Sequence, residues 1–454
     1  MNNIKVMILI LNILVFALFS CGTGEERTGE VTESQPAAPK SHRNVILIII
    51  DTLRADHLSC YGYHRLTSPA IDSLAEAGTM LLNAYPQAPW TLPSHATIWT
   101  GLSVRSHRTD TNMDFQSGSS DGKNYALDTD LMTMPMFFQR EGFATAGISN
   151  VVLLSSSYGF DEGFDTYYCH DAGHGMAGES VDSLICLIDS LKGQRMFCML
   201  HLYDVHDPYY PPEVYRKLYD PGVSGDVTNW ETMDGQVLNP QDRDELLALY
   251  DGEVAWVDEN LRRLFNHIRS SGIADSTLVI VTSDHGEEFL EHGGVLHGHT
   301  LYGELLHVPL IMAGPGIEEG RKETLPVGLF DLLPTVLRWS GIECTAETEG
   351  EDILNDPPSP DRTIPASGTA FPVTPEYHLA AVIKDVTKTI GFQDLDRFIQ
   401  FDLAEDPLEE NPVQPDSMSM EEVLQYWATP PKGFPQLISP DSSGAAALED
   451  LGYI

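Results

Sequence analysis

Asn44-Val-Ile-Leu-Ile-Ile-Ile50 is a run of branched apolar residues that stops at a carboxylate, Asp51. A strand buried on both faces has this pattern, and such strands lie in the middle of parallel sheets covered by helices. Thr277-Leu-Val-Ile-Val-Thr-Ser283 repeats the arrangement and ends in Asp284-His285. Two more segments read alike: Phe143 to Ser149, ending near Asn150, and Met196 to Tyr203, which runs into Asp204-Val-His206-Asp-Pro-Tyr-Tyr-Pro-Pro212. In open α/β sheets the ligand crevice lies beyond the carboxyl ends of the strands. Asp51, Asp284, His285 and His206 are therefore expected at one end of one sheet.

Helix signals fall between these strands. Ser68-Pro69 opens a helix that Gly78 closes, and Asn239-Pro240 opens a longer one whose Leu246, Tyr250, Val254, Val257, Leu261 and Leu264 share a face. Strands alternating with helices predict a three-layer α/β/α sandwich around a mostly parallel sheet over residues 44–341. Beyond Ile342 the composition changes. Glu343 to Asp361 is acidic and Pro-rich, and shorter strand-like pieces follow, Leu379 to Ile383 and Arg397 to Phe401. They predict a smaller C-terminal α+β subdomain over 342–454.

Between the first helix signal and the strand-like segment from Phe143 stands Ala88-Pro-Trp-Thr-Leu-Pro-Ser-His-Ala-Thr-Ile-Trp-Thr-Gly101. Pro93 suits the first turn of a helix and Gly101 its end, which places Thr91 at a helix N-terminus. Such a terminus offers unpaired N–H groups and the positive end of the dipole to an anionic ester and to a hydroxyl ionising beside it. A plain N-cap threonine has the same signature.

The chain of 454 residues carries a formal charge of -41, and 42% hydrophobic with 9% aromatic residues marks it as folded. That charge excludes nucleic acid as a partner, and an anionic substrate needs local positive charge from metal, Arg or His. At the N-terminus, Lys5 precedes an apolar run from Val6 to Phe19, broken by Asn12 and followed by Ser20-Cys21. Residues 1–20 read as a signal peptide, and Leu18-Phe19-Ser20-Cys21 resembles a bacterial lipoprotein signal. The expectation is a lipid anchor on Cys21, an acidic flexible tether over 21–43, and a place in the bacterial cell envelope facing the periplasm or the cell surface. Cys60, Cys169, Cys186, Cys198 and Cys344 show no CxxC spacing, hence no zinc signature and no disulfide framework.

Asp51, Asp284, His285 and the Thr91 oxygen make a mixed oxygen and nitrogen set. One divalent ion is expected there, zinc or manganese ahead of calcium, which prefers all-oxygen cages. It would lower the pKa of the Thr91 hydroxyl and polarise the substrate oxygen. Taken singly, a strand-terminal Asp can cap a following helix, and His285 can be an ordinary buried polar residue. Farther on, Glu291-His292-Gly-Gly-Val-Leu-His297-Gly-His299-Thr-Leu-Tyr-Gly-Glu304 packs three histidines into one loop. His297 is the candidate for binding the anion or protonating a leaving oxygen, with His299 behind it; a surface loop with incidental histidines or a second metal site is the competing reading.

NVILIIIDTLRADHLSCYGY, TLPSHATIWTG, HLYDVHDPYYPP, TSDHGEEFLEHG and HGHTLYGELLHVPLI, in that order, resemble the sulfatase family of the alkaline-phosphatase-like superfamily. DLLPTVL at Asp331 to Leu337, FDLAEDPLEE at Phe401 to Glu410 and the terminal LGYI extend the resemblance. It implies metal ligation by Asp51, Asp284 and His285, a nucleophile at Thr91, and substrate-anion contacts at His206 and His297. Family sulfatases place a second Asp after the first and usually Asn after the later one, where Thr52 and His285 stand here. They carry CxPSR, whose Cys or Ser becomes formylglycine; this chain has Thr91-Leu-Pro-Ser-His95, and His95 joins the expected catalytic residues. Oxidised Thr would be a ketone, so the formylglycine motif is absent. An unmodified Thr is similar to the phosphodiesterase and phosphoglycerol-transferase branches, which implies cleavage or transfer of a phosphate mono- or diester. Sulfate-ester hydrolysis without formylglycine is the alternative, and a non-catalytic protein binding anionic glycans is the alternative of another class.

Overall fold

The computed structural model describes residues 43–114, 119–170, 175–220, 222, 240–355, 358–369 and 378–433. The signal, most of the tether, Cys21 and the terminal LGYI lie outside them. The apolar runs form the expected sheet. Its strands lie in the order Arg321–Glu323, Thr79–Tyr85, Val308–Ala313, Thr277–Thr282, Asn44–Ile50, Met196–Leu202, Ala144–Ser149 and Thr166–Cys169, with Val327–Gly328 also paired to Thr79–Tyr85. The strand 44–50 is central and parallel to both neighbours, 277–282 and 196–202. The strand 308–313 runs antiparallel to the two strands it joins, so the sheet is mixed but mostly parallel.

Every residue of the strand 44–50 is buried, and alternation divides it between two cores. Val45, Leu47 and Ile49 pack with the helices Thr91–Thr100, Met134–Arg140 and Leu332–Trp339. Ile46, Ile48 and Ile50 pack with Pro69–Glu76, Ala177–Ser190 and Pro240–Ser270. Burying each such side chain stabilises the fold by about 1.5–3 kcal/mol, which makes this strand the axis of a three-layer sandwich. The predicted face of the helix from Pro240 is observed: Leu246, Tyr250, Val254, Val257, Leu261 and Leu264 are all buried. One local expectation changes. Ser68 precedes the first helix, but its hydroxyl donates to Asp72 at 2.8 Å and makes no capping bond.

After Ile342 the chain stays on the first layer, with Ile353, Cys344 and Leu354 in the same core. It then forms a four-stranded antiparallel sheet of Ile364–Thr369, His378–Lys384, Thr387–Phe392 and Arg397–Asp402. One face of that sheet shares a core with Tyr85, Leu301, Leu306 and Phe330; Val423 and Tyr426 of the helix Ser417–Trp427 cover the other. Cys60, Cys169, Cys186, Cys198 and Cys344 are free thiols. No helix among the described residues is long and apolar enough to cross a membrane.

Candidate active site

The register of three adjacent parallel strands decides where the polar ends fall. Ile49 lies opposite both His201 and Thr282, so the chain leaves the sheet at nearly one level in all three strands. Asp51 follows the middle strand, Asp284 and His285 follow one neighbour, and His201 ends the other; all four are fully buried. Asp51 N–H donates to Leu202 O at 2.9 Å, which holds the first carboxylate against the second strand. The next residue, Thr52, has φ +54, a region that costs a β-branched residue on the order of 1–3 kcal/mol. The Tyr250 hydroxyl, which donates to Thr52 O at 2.8 Å and accepts from Arg54 N–H at 2.9 Å, holds that turn in place.

Thr91 is the first residue of the helix Thr91–Thr100, with Trp90 before it and Gly101 at φ +66 closing it. Its hydroxyl caps no backbone N–H. Thr91 Oγ1 instead lies 3.3 Å from His285 Nε2, and Ser94 Oγ ties the same helix to Asp284 O at 2.6 Å. The plain capping role therefore does not describe this threonine.

The His285 ring is oriented by its own loop. Nδ1–H donates to Gly286 O at 3.0 Å, which leaves the lone pair on Nε2. That nitrogen faces Asp51 Oδ1 at 3.4 Å and Asp284 Oδ2 at 3.5 Å. A lone pair aimed at two carboxylates has no proton to share with them. Both Asp51 oxygens and Asp284 Oδ2 make no hydrogen bond within the protein although fully buried. Burial pushes the Asp51 carboxyl up to about 7, against the pull of His285. Buried acceptors left so are rare and costly, and a divalent cation among Asp51, Asp284 and His285 gives Asp51 Oδ1 and Asp284 Oδ2 a partner. The donor set thus fits a metal. Gly286 is required by the same turn, since a Cβ there would sit 2.0 Å from Glu304 O.

Of the three loop histidines, His297 reaches this cluster. Its ring centre lies 4.5 Å from that of His285 and 4.8 Å from that of His206. His297 Nδ1 is hydrogen-bonded to Glu287 Oε1 at 2.9 Å, and Glu287 Oε2 accepts from the Tyr209 hydroxyl at 3.0 Å. Burial raises the Glu287 carboxyl to about 8 and lowers His297 to about 4. The pair therefore carries one proton near neutrality, O–H···Nδ1, and His297 keeps an Nε2–H that can donate to an anion. His206 stacks on Tyr203, ring centres 4.2 Å apart, with Nδ1–H donating to Asp207 O at 2.6 Å. His299 and His292 turn to other carboxylates, Glu288 at 2.8 Å and Glu304 at 2.7 Å. His95 is fully buried, donating from Nδ1 to Thr91 O at 3.0 Å and lying 3.5 Å from Asp284 Oδ2.

The structure thus brings Asp51, Thr91, Asp284, His285, His297 and His206 into one cluster at the strand ends, with His95 beside Asp284. Sequence reading missed His201, Glu287 and Tyr209. The signal for His201 was present, a lone polar residue inside the buried run Met196–Leu202. Glu287 and Tyr209 carry no such mark, because their role depends on a loop closing over His297.

A family model described as Sulfatase matches residues 43–342. The chain is 22% identical over 401 residues to a sulfatase of Formosa agariphila, covering 75% of this chain and 76% of that one. A protein solved in complex with its substrate D-glucosamine-2-N,6-O-disulfate superposes with a TM-score of 0.70 at 20% identity, covering 85% of this chain and 97% of the other. A phosphonate monoester hydrolase of Agrobacterium radiobacter superposes with a TM-score of 0.68 at 18% identity, covering 85% and 94%.

Proposed function

We propose, for a chain that belongs to the sulfatase family, that Thr91 is the unmodified nucleophile of a hydrolase acting on phosphate mono- or diesters, or transferring the phosphoryl group to another alcohol. That the chain is a hydrolase of the sulfatase and alkaline-phosphatase superfamily follows from the match, and this family depends on metal. The observation that carries the finer reading is the Thr91 hydroxyl 3.3 Å from His285 Nε2, beside two buried carboxylates, at a helix N-terminus.

A divalent ion held by Asp51, Asp284, His285 and Thr91, zinc or manganese by its donor set, would lower the hydroxyl pKa and polarise a substrate oxygen. Thr91 Oγ1, its hydroxyl proton given up to water, attacks phosphorus, the bond from phosphorus to the alcohol oxygen breaks, and a phospho-Thr ester results. The His297 Nε2–H and His206 face the anion, and His297 gives its proton to the departing oxygen. Water or a second alcohol then displaces Thr91 from phosphorus. Arg54 takes no part, because its guanidinium is committed to Asp56 at 2.7 Å and Glu291 at 2.8 Å.

The names of the relatives support a second reading, sulfate-ester hydrolysis through the same Thr91. An aryl phosphate, a bis-aryl phosphate and an aryl sulfate, assayed side by side with the metal-loaded chain, decide between them. Turnover of either phosphate ester, lost by several orders of magnitude in Thr91→Ala and largely kept in Thr91→Ser, is expected. Turnover of the sulfate alone refutes the phosphoryl reading; no metal and no turnover of any ester supports the glycan-binding alternative. Anchoring in the cell envelope through Cys21 belongs to the same proposal and rests on residues 1–21. Cys21→Ser is expected to move the protein from the membrane to the soluble fraction.

A further inference from the structure

We propose that Ser283 is a positioning residue, its hydroxyl fixing the turn that carries Asp51 against the turn that carries Asp284 and His285; this rests on the reading of those three residues as metal ligands. Ser283 stands between the strand Thr277–Thr282 and Asp284, and it is fully buried. Its Oγ accepts from Leu53 N–H at 2.9 Å and donates to His285 O at 2.7 Å. Both directions are fixed, because an N–H only donates and a carbonyl only accepts. One hydroxyl thus joins a residue two beyond Asp51 to the backbone of His285.

The sheet does not supply this tie. The paired register of the strands 44–50 and 277–282 ends at Ile49 and Thr282, before either ligand turn begins. Asp51 N–H leans on the other neighbouring strand, at Leu202 O, and Thr52 then takes φ +54. Leu53 N–H has one other acceptor, Ile50 O at 3.4 Å, which lies within its own turn. Tyr250 holds the same turn from the helix Pro240–Ser270, and the Arg54 guanidinium reaches Glu287 O at 3.0 Å, beyond the ligands. The ligands cannot hold one another, since the His285 Nε2 lone pair faces Asp51 Oδ1 at 3.4 Å with no proton between them. Their spacing before an ion arrives must come from the scaffold, and Ser283 is the side chain that touches both turns.

Without the hydroxyl, Leu53 N–H keeps only its long contact to Ile50 O, and His285 O loses the Ser283 proton. The two turns then relax independently, and binding an ion must reorder them. Hydrogen-bonded groups behind metal ligands are commonly worth about tenfold to a hundredfold in metal affinity. The same spacing sets the nucleophile, because His285 Nε2 is the group that meets the Thr91 hydroxyl, at 3.3 Å. Thr282, one residue earlier and equally buried, is the natural control. Its hydroxyl donates to Pro309 O at 2.8 Å and to Ser283 O at 3.3 Å, and so supports the sheet and not the ligand turns.

Zinc affinity tests this without any substrate. The chain, stripped with chelator, is titrated with Zn²⁺ in competition with a chromophoric chelator, and urea midpoints are taken for every variant. Ser283→Ala is expected to weaken zinc binding about tenfold to a hundredfold, while Thr282→Val loses stability yet stays within about twofold of the parent. His285→Ala is expected to abolish binding. Affinity unchanged in Ser283→Ala, or lowered equally in Thr282→Val, overturns the role of Ser283 and leaves the metal reading standing. Zinc binding that survives His285→Ala, or no binding in the parent, refutes the metal reading and the role of Ser283 together. Should Ser283→Ala not fold, Ser283→Gly, which removes the same hydroxyl and leaves room for a water, decides by the same comparison.

Discussion

Replacing Lys388 by Met is expected to destabilise the protein by about 3–5 kcal/mol, the cost of leaving one partner of a buried ion pair alone. Lys388 has no exposed surface, and its Nζ donates to Glu409 Oε1 at 2.8 Å and Oε2 at 3.0 Å. Burial raises the Glu409 carboxyl above its ordinary 4.5, and Lys388 opposes that rise. Without the lysine, Glu409 would be a buried carboxylate next to Glu304. A carboxyl whose folded pKa is raised stabilises the folded state less as pH climbs above 4.5, so the deficit of Lys388→Met grows as pH rises above 4.5 and shrinks toward it. Glu409→Gln in the same background removes the stranded charge and is expected to return most of the loss. Urea unfolding of the parent, both single variants and the double variant, compared at a common m value, closes the cycle. A loss below about 1 kcal/mol in Lys388→Met, or a double variant no more stable than that single one, refutes the reasoning. The consequence reaches the site, because Glu409 O accepts from His292 Nε2 at 3.1 Å, and His292 opens the loop that carries His297.

The same histidine gives a pH dependence of its own. Burial works against charge on His292, yet its hydrogen bond to Glu304 at 2.7 Å and that residue's charge raise it from 6.5 to about 9. A raised histidine stabilises fully below pH 6.5 and loses that contribution as pH rises through about 9, so the melting temperature should fall across this window, and Glu304→Gln should flatten the slope. Glu287→Ala removes both the O–H that donates to His297 Nδ1 and the oxygen that accepts from the Tyr209 hydroxyl. It is expected to lower kcat/KM about tenfold to a hundredfold and to move the alkaline limb of the pH–rate profile, which a merely structural loss would leave in place.

What could be read from residues alone follows from how local the cause was. Asn44–Ile50 and Thr277–Thr282 announce themselves because a strand buried on both faces needs apolar residues at every position. Their polar ends were legible for the same reason: Asp51 and Asp284-His285 stand where an apolar run breaks, and a shared strand register does the rest. Thr91 was legible as a helix start from Pro93 and Gly101, but its choice between capping and chemistry was not. That choice depends on which neighbour the hydroxyl meets, and His285 arrives from a strand 194 residues later.

The unread part has one physical character. His201 sits in a strand whose other side chains are apolar, and Glu287 follows two residues already assigned to a site. Neither has a periodicity or a spacing to give it away, because their partners come from elsewhere in the chain: Asp51 for His201, and His297 with Tyr209 for Glu287. Burial is what makes them informative. An imidazole or a carboxyl held away from water must be satisfied by a neighbour, and the neighbour it has, or lacks, states its role. Glu287 has two partners and so positions a histidine; His201 has Asp51 Oδ2 3.3 Å from its Nε2 and so belongs to the polar cluster at the strand ends.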